Sequence, residues 1–233
     1  MAWTTPRTWI PGELVTALMM NTHVRDNMNY LFANIGASPS SFGAGSVSAP
    51  SVAVGDTDVG LYSSGTNALD FTTNGTKALG ITATQFISSP TQPRCIAYHS
   101  TTQSIPDSTS TMLNLNNEDV DVGSMHDTSV NNTRITVPTG GDGLYLVFGQ
   151  TGFAANGTGY REIGIRKNGG TVVVDRYCLP TAGFTTTEGI VWMGVLAAAD
   201  YVELFAQQTS GGSLNVGSTN RYDASQLYVV KLW

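Results

Sequence analysis

The apolar positions of this chain change period twice. Leu14, Ala17, Asn21, Val24, Met28, Leu31 and Ile35 follow a three-four spacing, which places them on one stripe of a helix. The spacing predicts a helix over 13–35, and the stripe has the a/d form of a short coiled coil. Asn21 is its one polar member, the residue type that fixes register and partner number in such helices. The sequence after it, GASPSSFGAGSVSA, is rich in Gly and Ser and predicts a flexible linker. A helix isolated by a linker has no neighbouring core, so self-association is expected. An amphipathic helix packed on its own domain is the alternative.

From Val52 to Ile87 the period shortens to two, with apolar alternations separated by Gly, Asn and Asp turn signals. GTNALDF (65–71) returns ten residues later as GTKALGI (75–81). Two strands this small cannot bury a core alone. The expectation is a shaft in which several copies of the chain wrap together, each burying its apolar residues on its neighbours. A plain meander belonging to the next domain is the alternative. Beyond Pro93, segments such as RCIAYHS, GLYLVFGQTGF, REIGIRK, GTVVVDRYCL, DYVELFAQQ and SQLYVVKLW recur between Gly/Asn/Thr turns. That pattern predicts an all-β sandwich or jelly roll. Four segments result: residues 1–36 with the helix, a linker over 37–51, a β-rich repeat shaft over 52–92, and a sandwich head over 93–233.

Composition narrows the function classes. The chain is 41% hydrophobic but only 12% charged, with a formal net charge of −6 and a pI near 4.8. An acidic chain without a basic run does not fit a nucleic-acid binder. The most apolar run, Gly189 to Val202, is too short to cross a bilayer and contains Asp200, and no secretory signal core is present at the N-terminus. Cys95 and Cys178 are too few for a disulfide scaffold, and buried free thiols are expected.

Catalytic signatures are absent. His23, His99 and His126 lack zinc-ligand spacing, and neither a Gly-x-Ser-x-Gly elbow nor a phosphate-binding loop occurs. No cofactor is expected. Glu118, Asp119 and Asp121 form an acidic cluster that could hold Ca²⁺, although a solvated loop accounts for it better. Asp56 and Asp58 read first as a turn. A glycan-cleaving enzyme needs a carboxylate pair on one groove, and Glu162, Glu188 and Glu203 are scattered. The remaining chemistry is aromatic and cationic: Tyr160 with Arg161, Arg176 with Tyr177, and Arg221 with Tyr222, each near a predicted turn. Tyr and Arg are favoured at binding hot spots, and these six are the candidate receptor contacts. Trp3, Pro6, Arg7 and Trp9 precede the helix in a segment too short to fold alone, and are candidate anchoring residues.

Three resemblances cover most of the chain. Thr5-Pro6-Arg7-Thr8-Trp9, Gly12-Glu13, Val15-Thr16-Ala17 and Asn21-x-His23-x-Arg25-Asp26-Asn27 resemble an N-terminal segment of tailed-bacteriophage virion proteins. Gly55-Asp56-Thr57-Asp58 and Gly60-Leu61-Tyr62 resemble shaft segments of phage fibres. Pro138, Gly143 and Tyr145, the Asn168-Gly169 hairpin, the Asp200-Tyr201-Val202 strand and SQLYVVKL are similar to the C1q/TNF-like trimeric jelly roll, with Ala199 where that family has glycine.

The resemblances imply a mainly β homotrimer with Leu14, Asn21, Val24, Met28, Leu31 and Tyr145 as trimerisation residues. They also imply a virion protein, assembled in the host cytoplasm and joined to other virion proteins by its N-terminus. The expected role is a tail fibre that binds host-surface glycan or protein. A capsid-decorating fibre is the alternative, and a glycan depolymerase a weaker one.

Overall fold

In the computed structural model, which describes residues 4, 5, 7–31 and 43–233, the helix begins where Thr16 supplies its cap. The Thr16 hydroxyl accepts from the Met19 amide at 3.2 Å, the standard closure of a helix N-terminus. The helix runs through α-helical Ala17–Met20, a π-helical turn over Asn21–Arg25 and α-helical Asp26–Leu31. It therefore starts four residues later than the periodicity predicts. Pro11 and Gly12 turn the chain, and Glu13 is spent on that turn, accepting from the Ile10 amide at 3.3 Å and pairing with Arg7. Leu14 lies before the helix and is 83% exposed. The extra residue of the π turn also rotates the last helical turns relative to the first, so the three-four spacing is not one straight stripe. Ile35 lies outside the described residues.

The chain divides into two units, Met1–Pro90 and Thr91–Trp233. The first carries an antiparallel meander, β1 (Val52–Ala53), β2 (Gly60–Tyr62), β3 (Leu69–Thr73), β4 (Thr76–Ile81) and β5 (Ile87–Ser88), ordered as in sequence. The two repeat copies are the two arms of one hairpin, turned at Asn74 and Gly75, both in left-handed conformation. Part of the segment expected as linker is tied to this sheet. The Ser63 amide donates to the Ala44 carbonyl at 2.7 Å, and the Thr72 hydroxyl to the Val47 carbonyl at 2.7 Å.

The meander's polarity is inverted. Asp70, Thr72 and Tyr62 are buried, while Leu69, Phe71, Leu79 and Ile81 are 37–44% exposed. Alternation along β3 puts Asp70 and Thr72 on one face and Leu69 and Phe71 on the other.

The second unit is a two-sheet sandwich. Its strands are β6 (Arg94–Tyr98), β7 (Gln103–Ile105), β8 (Thr111–Met112), β9 (Asn117–Val122), β10 (Arg134–Thr136), β11 (Gly143–Phe153), β12 (Arg161–Lys167), β13 (Thr171–Cys178), β14 (Thr186–Leu196), β15 (Tyr201–Gln208), β16 (Leu214–Val216) and β17 (Gln226–Lys231). The front sheet runs β9-β6-β17-β11-β14, with β7 and β16 continuing it beyond β11. The back sheet runs β10-β15-β12-β13, with β8 beside β15. From β10 onward five of the seven connections cross between the sheets, the winding of a jelly roll. Tyr145, Val147, Phe153, Ile163, Ile165, Leu204 and Val229 fill the space between.

Two expectations change here. Residues 117–122, read as an acidic loop, form β9 at the edge of the front sheet, where charged side chains guard an open edge. Tyr145, assigned to trimerisation, points into the sandwich core. It is fully buried, and its hydroxyl donates to the Gly141 carbonyl at 2.7 Å.

Candidate functional site

The sandwich has two distinguishable ends. Where the chain enters, Arg94 pairs with Val230, the Lys231 amide donates to the Pro93 carbonyl at 3.0 Å, and Gly143 pairs with Leu196. At the far end, Tyr98 pairs with Gln226, and Phe153 with Thr186 and Val216. All six candidate receptor contacts gather at this far end, in two groups.

The first group is built by the β12–β13 hairpin. Its register sets Arg161 opposite Cys178 and Glu162 opposite Tyr177. Tyr160 and Tyr177 then meet, with ring centroids 5.5 Å apart and planes at 59°. Both phenols are held by neighbours: the Gln207 side-chain amide donates to the Tyr160 oxygen at 2.9 Å, and Tyr177 bonds to Glu162. That carboxylate pushes the Tyr177 phenol up to about 12. Burial raises the Glu162 carboxyl, against the lowering effect of the Tyr177 bond. Tyr160, Tyr177, Cys178 and Leu179 line an open hollow of about 320 Å³. Beside it, Arg176 pairs with Glu188 at 3.1 Å. Cys178 is a protonated thiol: desolvation and then Glu188 push it up to about 12.

Arg161 is not a surface contact. It is fully buried, and its guanidinium donates to the carbonyls of Asn156 (2.6 Å), Thr158 (3.0 Å) and Tyr160 (2.9 Å). Its central carbon lies 5.9 Å from the Phe153 ring centre. Arg161 is the internal brace that holds the loop carrying Tyr160.

The second group surrounds Arg221, whose guanidinium lies 3.6 Å over the Tyr98 ring and pairs with Asp119. Tyr222, beside it, is 81% exposed.

Glu118, Asp121 and Glu203 also have protein partners. Glu118 accepts from His126 Nδ1 at 2.8 Å, and Asp121 accepts from the Met125 amide at 2.8 Å. Asp119 is turned to Arg221, so each of the three carboxylates of the 118–121 cluster has a different protein partner. The register shift that leaves Asp119 opposite no residue of β6 breaks the alternation that would set it on one face with Asp121. Among the described residues no cluster of three or more His, Cys, Asp or Glu could hold a metal. Glu203 accepts from the Thr133 hydroxyl. A second hollow, of about 370 Å³, is lined by Met125, His126, Asp127, Val130, Asn131 and Arg134. Backbone hydrogen bonds from Val130 and Ser129 hold Asp127 down to about 2.

In the N-terminal segment, Arg7 stacks over Trp9 at 5.0 Å, while Trp3 and Pro6 lie outside the described residues. The residue that fixes the segment is Asn27. Its side-chain oxygen accepts from the Thr4 amide at 2.9 Å, and its nitrogen donates to the Thr4 carbonyl at 2.8 Å. Asn27 is the one buried residue of the helix.

No family model and no curated protein matches this chain. Among solved structures, it is similar to the globular domain of the zebrafish complement 1qA protein, with a TM-score of 0.43 at 8% identity over 61% of this chain and 98% of that one. It is also similar to murine APRIL, with a TM-score of 0.46 at 14% identity over 60% of this chain and 99% of that one. The likeness is one of fold. The class is a mainly β chain with a jelly-roll second unit, and that assignment stands on the strand order.

Proposed function

We propose that this chain is a homotrimeric structural protein of a phage particle, a tail fibre whose jelly-roll head attaches the particle to its host. The observation that carries the reading is the gathering of exposed aromatic side chains at the end of the sandwich opposite the chain's point of entry. Tyr177, Phe184 and Tyr222 are all at least 57% exposed there.

Self-association is supported by the front sheet's outer face. Val195, Leu144, Met193, Leu146, Val191 and Phe148 pair in successive rows across β14 and β11, and Val230 and Tyr228 extend two rows onto β17. Val191, Met193 and Val195 are 55–69% exposed. A contiguous apolar face of this kind marks an interaction site, and further copies of the same head are the occupants the reading assigns. The inverted meander supports the same assembly, with Leu69, Phe71, Leu79 and Ile81 facing neighbouring copies along a shaft. Met28 and Leu31, at least 42% exposed, would meet their counterparts in the helical segment. Arg7 and Trp9 would dock on another virion protein.

The test measures two quantities on the purified full chain. Light scattering is expected to give the mass of three chains, and labelled protein to adsorb to host cells and slow phage adsorption. Met193→Glu should give monomers. A monomeric wild type overturns the assembly. A trimer that neither binds cells nor competes with phage shifts the reading to a capsid-decorating fibre.

A further inference from the structure

We infer that the Tyr160–Tyr177 corner is a subsite for one uncharged sugar ring, a proposal that rests on the attachment reading and names its ligand class. Three observations point to this chemistry. The two rings stand at 59° with centroids 5.5 Å apart, so they form a corner with one wall and one floor. Tyr177 is 57% exposed yet its hydroxyl is tied to Glu162, so an open aromatic face is held in place before anything binds. Little ordering entropy is then lost on contact. The Tyr160 oxygen accepts from Gln207, which leaves its own O–H to donate outward. A pyranose offers a flat C–H face for the floor and ring hydroxyls for the wall, matching both features.

Charge excludes the obvious competitors. The nearest cations are committed: Arg161 to three carbonyls within the fold, and Arg176 to Glu188. Glu162 lies behind the floor as an acid. An acidic sugar or a phosphate would meet the Glu162 carboxylate, whereas Arg176, adjacent to Tyr177 on β13 and so on the strand's opposite face, pairs through its Nε with Glu188. An apolar peptide side chain would leave the Tyr160 O–H unpaired, a loss that a sugar hydroxyl makes good. The hollow of about 320 Å³ suits a single ring rather than a long chain, and Leu179, 83% exposed, gives its rim an apolar edge. One ring on one aromatic floor binds weakly, and three copies on a trimer raise avidity without new contacts.

The experiment applies the full-length trimer to an array of neutral hexose oligosaccharides, with sialylated and sulfated oligosaccharides as comparators. Binding to neutral members and none to the acidic ones is expected. Tyr177→Ala should lower it at least about tenfold, the worth of one stacked ring. Tyr160→Phe, which keeps the wall and removes its donor, should lower it several-fold. Tyr177→Phe keeps the stacking floor but cuts its tie to Glu162, so it should bind between wild type and Tyr177→Ala, and circular dichroism and trimer mass check every variant. Failure to bind any neutral glycan, or binding that Tyr177→Ala leaves unchanged, overturns the proposal. If the trimer still adsorbs to host cells in that case, attachment stands and only the sugar subsite falls. If adsorption fails while neutral glycans bind through Tyr177, the subsite stands and the attachment role falls.

Discussion

Asp70 and Gly80 stand directly opposite each other on β3 and β4, and each accounts for the other. The two repeat copies differ in only three of seven places: Asn67 against Lys77, Asp70 against Gly80, and Phe71 against Ile81. Lys77 forms an ion pair with Asp70, which is fully buried and also accepts from the Ser64 amide at 3.0 Å. Burial alone would raise the Asp70 carboxyl, but the bonds from Lys77 and Ser64 outweigh it and hold it below its ordinary value. Gly80 leaves the space this pair fills, because a Cβ there would overlap the Asp70 carboxylate and the end of Lys77.

That relationship makes a non-additive pair. Gly80→Ala should destabilise the meander by about 1–3 kcal/mol, the usual cost of forcing a methyl into a filled site. In an Asp70→Ala background the obstructing oxygen is gone, so the same substitution should cost less by at least about 0.5 kcal/mol. Hydrogen exchange over residues 60–88 in the full chain measures both. Equal costs in the two backgrounds would show that the pair does not occupy the Gly80 space.

The buried Arg161 predicts a defect at a distance. Arg161→Lys keeps the charge but not the fork that reaches three carbonyls, and Arg161→Met removes both. Hydrogen bonds from charged groups contribute about 1.5–3 kcal/mol each and are not additive, so a loss of about 3 kcal/mol is expected for Met and less for Lys. Residues 156–160 should lose exchange protection in both variants before the rest of the head does. Unchanged protection in this loop would mean that Phe153 packing, not the guanidinium, holds it.

The strands of the head are legible in period-two alternation. GLYLVFGQTGF and REIGIRK coincide with β11 and β12 end to end, because both have sharp Gly or turn boundaries. Asn117–Val122 is not legible in this way, since an edge strand carries charges for the same reason a loop does. Periodicity misplaces the helix start because apolar spacing continues through Leu14, whereas Thr16 and the Arg7–Glu13 pair decide the cap. Arg161 beside Tyr160 looks like surface chemistry, and only closure of the far end over Phe153 buries it. The Tyr160–Tyr177 corner does leave a signal. Counting back from the Lys167–Thr171 pair beside the Asn168–Gly169 turn brings Tyr177 opposite Arg161, next to Tyr160, but the bulge between Ile165 and Arg166, which cannot be seen in sequence, moves it to Glu162.

Ala199 provides a test of local strain. It sits third in the turn 197–200, closed by the Asp200 amide donating to the Ala197 carbonyl at 3.0 Å, and its φ is 68°. That position of a type II turn calls for glycine, and an alanine there costs about 1–2 kcal/mol. Ala199→Gly relieves this but gains unfolded-state entropy, so a net stabilisation of about 0.5–1 kcal/mol is expected, read as a higher Tm for the head. A lower Tm would mean that the alanine methyl contributes packing that outweighs its strain.

Next to that turn, Asp200 predicts the acid limit of the head. Its carboxylate accepts from the Asn168 side chain at 2.7 Å and the Ala197 amide at 2.8 Å, and pairs with Lys167 at 2.7 Å. Those partners, Asn168 first, hold it down to about 2, below the ordinary carboxylate value near 3.8. A carboxyl depressed by folding stabilises the native state at every pH above its unfolded value, and that contribution is lost as pH falls toward the folded one. The head should therefore lose stability between about pH 4 and pH 2. Asp200→Asn should be less stable than wild type at pH 7 by about 1–2 kcal/mol, a figure reduced for the site's nearness to solvent, and the gap should close by pH 2. Thermal melts of both proteins at pH 7, 4, 3 and 2 measure it. A gap that stays constant down to pH 2 would locate the acid sensitivity elsewhere, with Asp127, also held to about 2, as the next carboxylate to replace.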